Sequence, residues 1–446
     1  MAQGRMPLPN NMEQTISIEV YAGVNFLHVL TCFVEKAAIA FGLDGSAPMA
    51  LTLAAEEIFV YFCKISAPDK KIKIQCSSPG YFVKLDFFLS VEKFNLRAFN
   101  ITASISPENN SSMDEMGLYI ASRKVDRFFL EQDKANGICL SLIKDKSYPV
   151  TKNFQMPLKS NPDTYSISKP DTDDIKLFAA MVSETFPKTL IPPSFYFPGK
   201  VVDMVLKKHY DLVLAFDDSH RICGGIIWQW YGKRIIEFFG PYLFIDNQNM
   251  KIPGELLDAC IGSIAKTNAV ALINQRPTEF FPGTQFEKLG NLKIYGHEKA
   301  CQTLTTYFRQ MQEDTGLIVK AHPDIMDFLS NEYKRLFLPR EIKTIKNQGE
   351  EQNPYSVMAS DFDHGNNMVT LRPIQPGKDA LENLKNHIDL FKKESLYNLF
   401  FEMDLALSWQ VGFTPALINN KFIPRLILPC AGKGDILIFQ WKEDKS

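Results

Sequence analysis

The chain has 446 residues, of which 45% are hydrophobic and 22% charged, and its formal net charge is −2 at pH 7. That length supports two or three domains, each able to bury its own core. The near-neutral charge gives no electrostatic case for nucleic acid. Eight cysteines are scattered without a CxxC pair, so they read as small buried hydrophobes in a reducing compartment, not as a zinc site or disulfide framework. The start, MAQGRMPLPNNMEQ, lacks a basic-then-apolar signal pattern. The apolar stretch 24–41 carries His28, Glu35 and Lys36, which makes it a poor membrane span. A cytoplasmic protein without membrane contact is expected.

Polar, proline-bearing joints at 148–169 (Pro149, Pro157, Pro162) and 343–356 (KTIKNQGEEQNPYS) divide the chain into segments 1–150, 164–342 and 355–446. Segment one opens with the alternating strand TISIEV. Two helices follow, at about 23–41 and 47–63, the second with apolar residues at helical spacing in MALTLAAEEIFVYFC. Strands KIKIQCSS and YFVKLDFFLS are joined by Pro79-Gly80. After the polar loop SPENNSSMDEM, the run MGLYIASRKVDRFFL reads as a third helix and GICLSLIKDK as a closing strand. This order predicts an α+β fold, an α/β sandwich with one helical layer.

Segment one resembles the ATPase domain of the anti-sigma factor and serine-protein kinase branch of the GHKL superfamily. LTLAAEEIF matches the helix with the metal-binding box, MGLYIASRKVD the second glycine box and its helix, and GICLSLIK the last core strand. The resemblance implies a degenerate nucleotide site at Glu57, Asp86 and Gly117. The family's magnesium-binding asparagine is replaced by Tyr61, four residues after Glu57. Aligned on Phe94-Asn95, the family's adenine-reading aspartate and its glycine fall on Leu89 and Val91. A second frame keeps Asp86 but puts Phe88 at the glycine. Asp114 and Glu115 precede Gly117 and would repel phosphate. ATP is therefore not expected. The resemblance implies a protein partner or self-association through this domain.

Segment two begins with DTDDIKLFAAMVSETF, a helix with an acidic N-cap. A proline-rich stretch, IPPSFYFPGK, leads to a helix at 201–209. Strands DLVLAFDD and RICGGIIWQWYG follow, joined at Ser219-His220, and then KRIIEFFGPYLFID. NQNMKIPGELLDACIGSIAKT opens from loop into helix; AVALINQ and FEKLGNLKIYG close the run. This order resembles the GNAT acyltransferase fold. The resemblance implies a coenzyme A or acetyl-CoA site where Lys251 and Gly254 open the helix, since helix N-termini favour phosphate. Pro253 removes one N–H, Glu255 adds the wrong charge and Leu256 replaces a small residue. FEKLGN resembles the family's later helix and turn, with Asn291 where an aromatic is usual. In such a reaction a base deprotonates an amine, and a backbone N–H on the splayed strand polarises the thioester. Glu237 in RIIEFF is the candidate base. The alternative for it is a solvent-facing strand residue between Ile236 and Phe238. Tyr242 and Tyr295 are candidate acids for the leaving thiolate, or ordinary core tyrosines.

Segment three repeats part of this pattern: strands YSVMASDF and MVTLRPI, a turn at Pro376-Gly377, a helix at 379–393, strand SLYNLFFEMDL, the short ALSWQVGF, then FIPRLILP and DILIFQW. The GFTP, LP and GDILIFQ stretches resemble tails behind anti-sigma-type ATPase domains in bacterial proteins. Segments two and three are read as one extended GNAT-like domain or two halves sharing a sheet. HExxH, Walker A and GxSxG motifs are absent, and the seven histidines are dispersed, so no metal is expected. His322 and His364 sit in predicted turns. Three functions stay open: a bacterial regulatory or partner-binding protein without turnover, an acyl-CoA-dependent N-acyltransferase regulated by its front domain, and an ATP-dependent anti-sigma serine-protein kinase, which Tyr61 argues against.

Overall fold

The computed structural model describes residues 14–89, 97–102, 110–133, 137–150, 154–157, 164–245, 251–296, 301–345 and 353–442. The first unit contains β1 (Gln14–Tyr21), α1 (Leu27–Ala40), α2 (Ala47–Ile65), β2 (Lys71–Ser78), β3 (Phe82–Leu89), α3 (Asn110–Lys124), β4 (Arg127–Asp133) and β5 (Gly137–Asp145). Its strands form an antiparallel sheet in the order β1-β2-β3-β5-β4. Leu85 and Phe87 of β3 and Leu140 and Leu142 of β5 share a core with Leu30, Val34, Ile58 and Phe62 of the helices. Their alternation places all three helices in one layer. The third helix is shorter than the sequence pattern suggests. It stops at Lys124, because Asp126 turns the chain by accepting from the Asp145 N–H (2.7 Å) and Lys144 Nζ (2.9 Å). RFFL then pairs with β5 as a strand.

The second unit contains β6 (Tyr165–Ser168), α4 (Thr172–Thr185), α5 (Pro198–Leu206), β7 (Tyr210–Asp217), β8 (Ile222–Tyr231), β9 (Ile235–Leu243), α6 (Lys251–Ile264), β10 (Ala271–Asn274), β11 (Glu287–Tyr295) and β12 (Cys301–Gln310). Asp171 caps α4, accepting from the N–H groups of Asp173 and Asp174. The seven strands run β11-β12-β10-β9-β8-β7-β6. Only β9 and β10 pair in parallel. Helices α4 and α5 cover one face and α6 the other. Two expectations are corrected. The joint at 148–169 holds a strand, β6, and FEKLGN begins at Phe286, which caps a 3-10 turn at Gly283–Gln285, and otherwise lies in a strand, β11, whose ladder shifts register between Lys288 and Gly290.

The third unit contains β13 (Leu317–Ala321), α7 (Pro323–Arg335), β14 (Arg340–Thr344), β15 (Val357–Asp363), β16 (Met368–Gln375), α8 (Ala380–Lys393), β17 (Asn398–Asp404), α9 (Ser408–Val411), α10 (Thr414–Asn419), β18 (Phe422–Leu428) and β19 (Ile436–Trp441). β13 and β14 form a parallel pair, and the rest a sheet ordered β15-β16-β17-β19-β18. Val319, Ile325 and Leu329 pack with Leu371, Phe401 and Leu437 in a core that also takes in Val270, Ile273 and Phe308 of the second unit. The order and the single parallel pair, β16 with β17, repeat those of β8-β9-β10-β12-β11. The halves do not share one sheet. Side-chain amides occupy the edge of β11 where a further strand would pair: Gln440 bonds the Lys293 N–H (3.2 Å) and C=O (2.5 Å), and Asn398 bonds the Tyr295 N–H (2.8 Å) and C=O (2.9 Å). Among the described residues no helix is long and apolar enough to cross a membrane.

Candidate functional site

β9 and β10 run together only through three pairs, ending at Ile273 opposite Glu237. β10 then stops at Asn274, while β9 continues along β8 to Leu243. Where they part, Asn274 Nδ2 donates to the Gly240 carbonyl (3.1 Å) and Thr278 Oγ1 to that of Pro241 (2.6 Å). Glu237 stands at the parting and is 2% exposed, so it is not a solvent-facing residue. Gln229, directly opposite on β8, donates from Nε2 to Oε2 (3.1 Å), and Gln275 Nε2 donates to Oε1 (2.9 Å). Burial raises the carboxyl above its usual range, against the pull of Gln229, Arg276 and Gln275. A carboxylate held by neutral amides in a desolvated site is a proton acceptor.

Glu237 faces a cavity of about 80 Å³ that Tyr231, Arg276, Thr370 and Glu402 also line. This admits an amine-sized group, at about 10–15 Å³ per water-sized site. Arg276 is anchored by the Ile191 carbonyl (2.9 Å) and Asp363 (3.6 Å). Tyr231 donates to Glu402 (3.4 Å), which Arg372 also holds (2.6 Å). The cavity therefore has walls from both repeated halves.

The other predicted residues divide. Lys251 and Gly254 share the first turn of α6, above buried Ile252, Pro253 and Leu256. Among the described residues a Cβ on Gly254 would meet nothing within 4 Å; the preceding 246–250 lies outside the described residues. The corresponding turn before α8 is closed: a Cβ on Gly377 would lie 2.0 Å from the Ser356 nitrogen. Tyr295 is not a wall of the Glu237 cavity; its neighbour Ile294 is. Tyr242 is fully buried and donates to the Leu190 carbonyl (2.8 Å), a core tyrosine.

In the first unit Glu57 and Gly117 meet. A Cβ on Gly117 would lie 2.4 Å from Glu57 Oε2, so the glycine serves close packing of α2 on α3. Burial, then Glu56, raises the Glu57 carboxyl. Asp86 does not join them. It alternates with Leu85 and Phe87, which face the helices, and so lies on the opposite face, bonded to Ser141 and to Lys84 (3.0 Å). A nucleotide held between sheet and helices cannot use it. Val91, Phe94 and Asn95 lie outside the described residues, as do the side chains of Asp114 and Glu115. Among the described residues no three His, Cys, Asp or Glu side chains group as metal ligands.

Sequence reading missed Gln229, Gln275, Arg276 and Glu402. The first had a signal: the Tyr231-to-Arg234 turn sets Gln229 opposite Glu237.

No family model matches the chain, and no curated protein is similar to it. Solved structures are. A GNAT superfamily phosphinothricin acetyltransferase from Sinorhizobium meliloti, in complex with AcCoA, is 16% identical over 34% of this chain and 91% of that one, with a TM-score of 0.28. An N-acetyltransferase from Staphylococcus aureus is 14% identical over 33% and 98%, with a TM-score of 0.27. These likenesses cover about a third of the chain.

Proposed function

We propose that the chain is an acyl-CoA-dependent N-acyltransferase acting on a small amine, with Glu237 as general base. The observation that supports this most is the buried carboxylate, held by two amides, at the mouth of a cavity where β9 and β10 part. The residues of α6 fit the phosphates of coenzyme A: a Gly254 whose Cβ would meet nothing within 4 Å among the described residues, a cation at Lys251 and the positive end of a helix. The bound thioester would supply the acyl group. Glu237 takes one proton of the acceptor ammonium, the freed amine nitrogen bonds to the acyl carbon as the carbon–sulfur bond breaks, and the second amine proton passes to the departing sulfur, which leaves as coenzyme A thiol. Arg276, fixed by Ile191 and Asp363, sets the cavity's charge beside Glu237. The first unit is read as a scaffold that has kept its fold without ATP. Val29, Ile39, Met49 and Leu53 on α1 and α2 are each more than a third exposed, which supports self-association or partner binding there.

A second reading, a regulatory protein that binds a ligand or partner without turnover, is favoured by two features. Pro253 removes an N–H from the α6 turn, and Tyr242 is committed to Leu190. The test is product formation by the full chain from acetyl-CoA and a panel of primary amines, read by mass spectrometry. Glu237→Gln should lower kcat/KM about 10²–10⁴-fold while acetyl-CoA still protects against heat. Turnover unchanged by Glu237→Gln would end the assignment of the base. Protection by acetyl-CoA without turnover on any amine would leave the second reading.

A further inference from the structure

The first and third units meet at their sheet edges. β4 ends one sheet and β15 the other. The contact is tied by Asn100, which donates to the Ser356 carbonyl (2.8 Å) and accepts the Met358 N–H (3.0 Å). Beside this tie the two edges enclose a cleft of about 540 Å³, within the range of about 300–1,000 Å³ usual for small-molecule sites. It is separate from α6 and does not rest on the acyltransferase reading.

Half of its wall residues are apolar, with Phe99, Phe128, Phe129 and Phe362 among them, and half are polar or charged. Its acids are already engaged: Asp145 by Arg127 and Lys200, Asp126 by Lys144, and Asp361 and Glu402 by Arg372. Two wall atoms are buried from solvent yet have no hydrogen-bond partner among the described residues, Nη1 of Arg127 and Oγ of Ser360. Buried polar atoms are almost always paired, and an orphaned donor in a cleft marks the place of a missing acceptor. The rest of the Arg127 guanidinium is fixed, by Asp145 and by the Phe82 ring 5.4 Å below it. Beside aromatic surface and polar wall residues that include Ser122, Arg123, Arg372 and Gln410, the cleft offers, among the described residues, one unpartnered donor of a fixed guanidinium and one unpartnered hydroxyl.

We infer that this cleft binds a small molecule with a flat apolar body and an oxyanion, a carboxylate or sulfonate. The ring system lies among the phenylalanines. One anionic oxygen accepts from Arg127 Nη1 and another from the Ser360 hydroxyl. A charge-assisted bond of this kind is worth about tenfold or more in affinity.

The test uses the full chain and two fluorescent probes of like shape, anilinonaphthalene sulfonate and neutral phenylnaphthylamine. The sulfonate should bind at one site, about tenfold tighter than the neutral dye. Ser360→Ala should weaken the sulfonate about fivefold while raising the unfolding temperature, because an unpaired hydroxyl is removed. Arg127→Gln should abolish the preference between dyes, and Ala359→Trp should exclude both by filling the cleft. Because Arg127→Gln also leaves Asp145 less well paired, Ser360→Ala and Ala359→Trp decide the matter if that variant does not fold. Equal affinity for the two dyes, or sulfonate binding untouched by both Ser360→Ala and Ala359→Trp, would overturn the inference.

Discussion

Acid should unfold this protein through two histidines that fold in the neutral form. His387 on α8 is 0% exposed. Its Nδ1 donates to the Asn383 carbonyl (2.8 Å), and its Nε2 has no partner among the described residues. His209, just after α5, is part-buried, with Nδ1 2.9 Å from the Tyr81 hydroxyl. Burial pushes both from 6.5 down to about 4; for His209 the positive charge of Arg127 adds to it. A lowered folded-state pKa means that the unfolded chain binds more protons between those values. The stability tied to each histidine is whole above pH 6.5 and is lost as pH falls toward 4. At 1.36 kcal/mol per pH unit this amounts to about 3 kcal/mol per histidine, a large share of a typical total of 5–15 kcal/mol. His387→Leu isolates one contribution. The Asn383 carbonyl keeps its helical partner, the N–H four residues on, so nothing polar is stranded. Urea unfolding of both proteins between pH 7 and pH 4 should show near-equal stability at neutral pH. The variant should become the more stable by about 3 kcal/mol at pH 4. A difference that does not change with pH would refute the reasoning.

Three further outcomes follow from single contacts. The Arg340 side chain is 0% exposed and held by Asp435 (2.6 Å) and Asp314 (2.7 Å), so Asp435→Asn should cost about 3–5 kcal/mol in urea unfolding by leaving a buried cation under-compensated. Gly377→Ala drives a methyl into the Ser356 backbone and should destabilise by about 3 kcal/mol, whereas Gly254→Ala, whose methyl meets nothing within 4 Å among the described residues, should stabilise α6 by about 0.5–1 kcal/mol. Because burial raises the Glu237 carboxyl, the turnover it supports should rise with pH through that raised value; its own contribution to stability is whole below pH 4.5 and is lost as pH rises through it. A pH–rate profile of wild type beside Glu237→Gln reads the first of these.

Local signals in the sequence carried far. The Pro79-Gly80 and Ser219-His220 hairpins, the capped start of α4 and much of the helix–strand order outside 301–344 are written in turn chemistry and periodicity, whereas β12, β13, α7 and β14 went unread. What was not legible depends on distant partners. RFFL continues the apolar pattern of α3, and only the tie from Asp126 to Asp145 and Lys144 turns it into β4. Asp86 looks like a ligand-facing acid until the sheet's pleat puts it on the face away from the helices. Glu237 alternates with Ile236 and Phe238 as a solvent-facing residue would. It is buried because Gln275, after β10, and Glu402, from the other half, close around it.

The two repeated halves explain why that cavity is asymmetric. Both place a parallel strand pair beside a helix, and both have a glycine near the start of that helix. In the third unit the glycine at 377 is pressed against the chain's own backbone, and Asp379 accepts the Ser356 N–H. That terminus is filled from within, whereas among the described residues nothing lies within 4 Å of a Cβ built on Gly254 in the first turn of α6. The third unit instead turns Thr370 and Glu402, from its own parallel pair, toward the cavity of its neighbour. Arg372 balances Glu402 there, so the wall can be charged without leaving an unpaired acid beside Glu237. One half thus leaves space beside Gly254 while the other helps to enclose the chamber that Glu237 lines. The cavity that Glu237 lines is a property of both halves together.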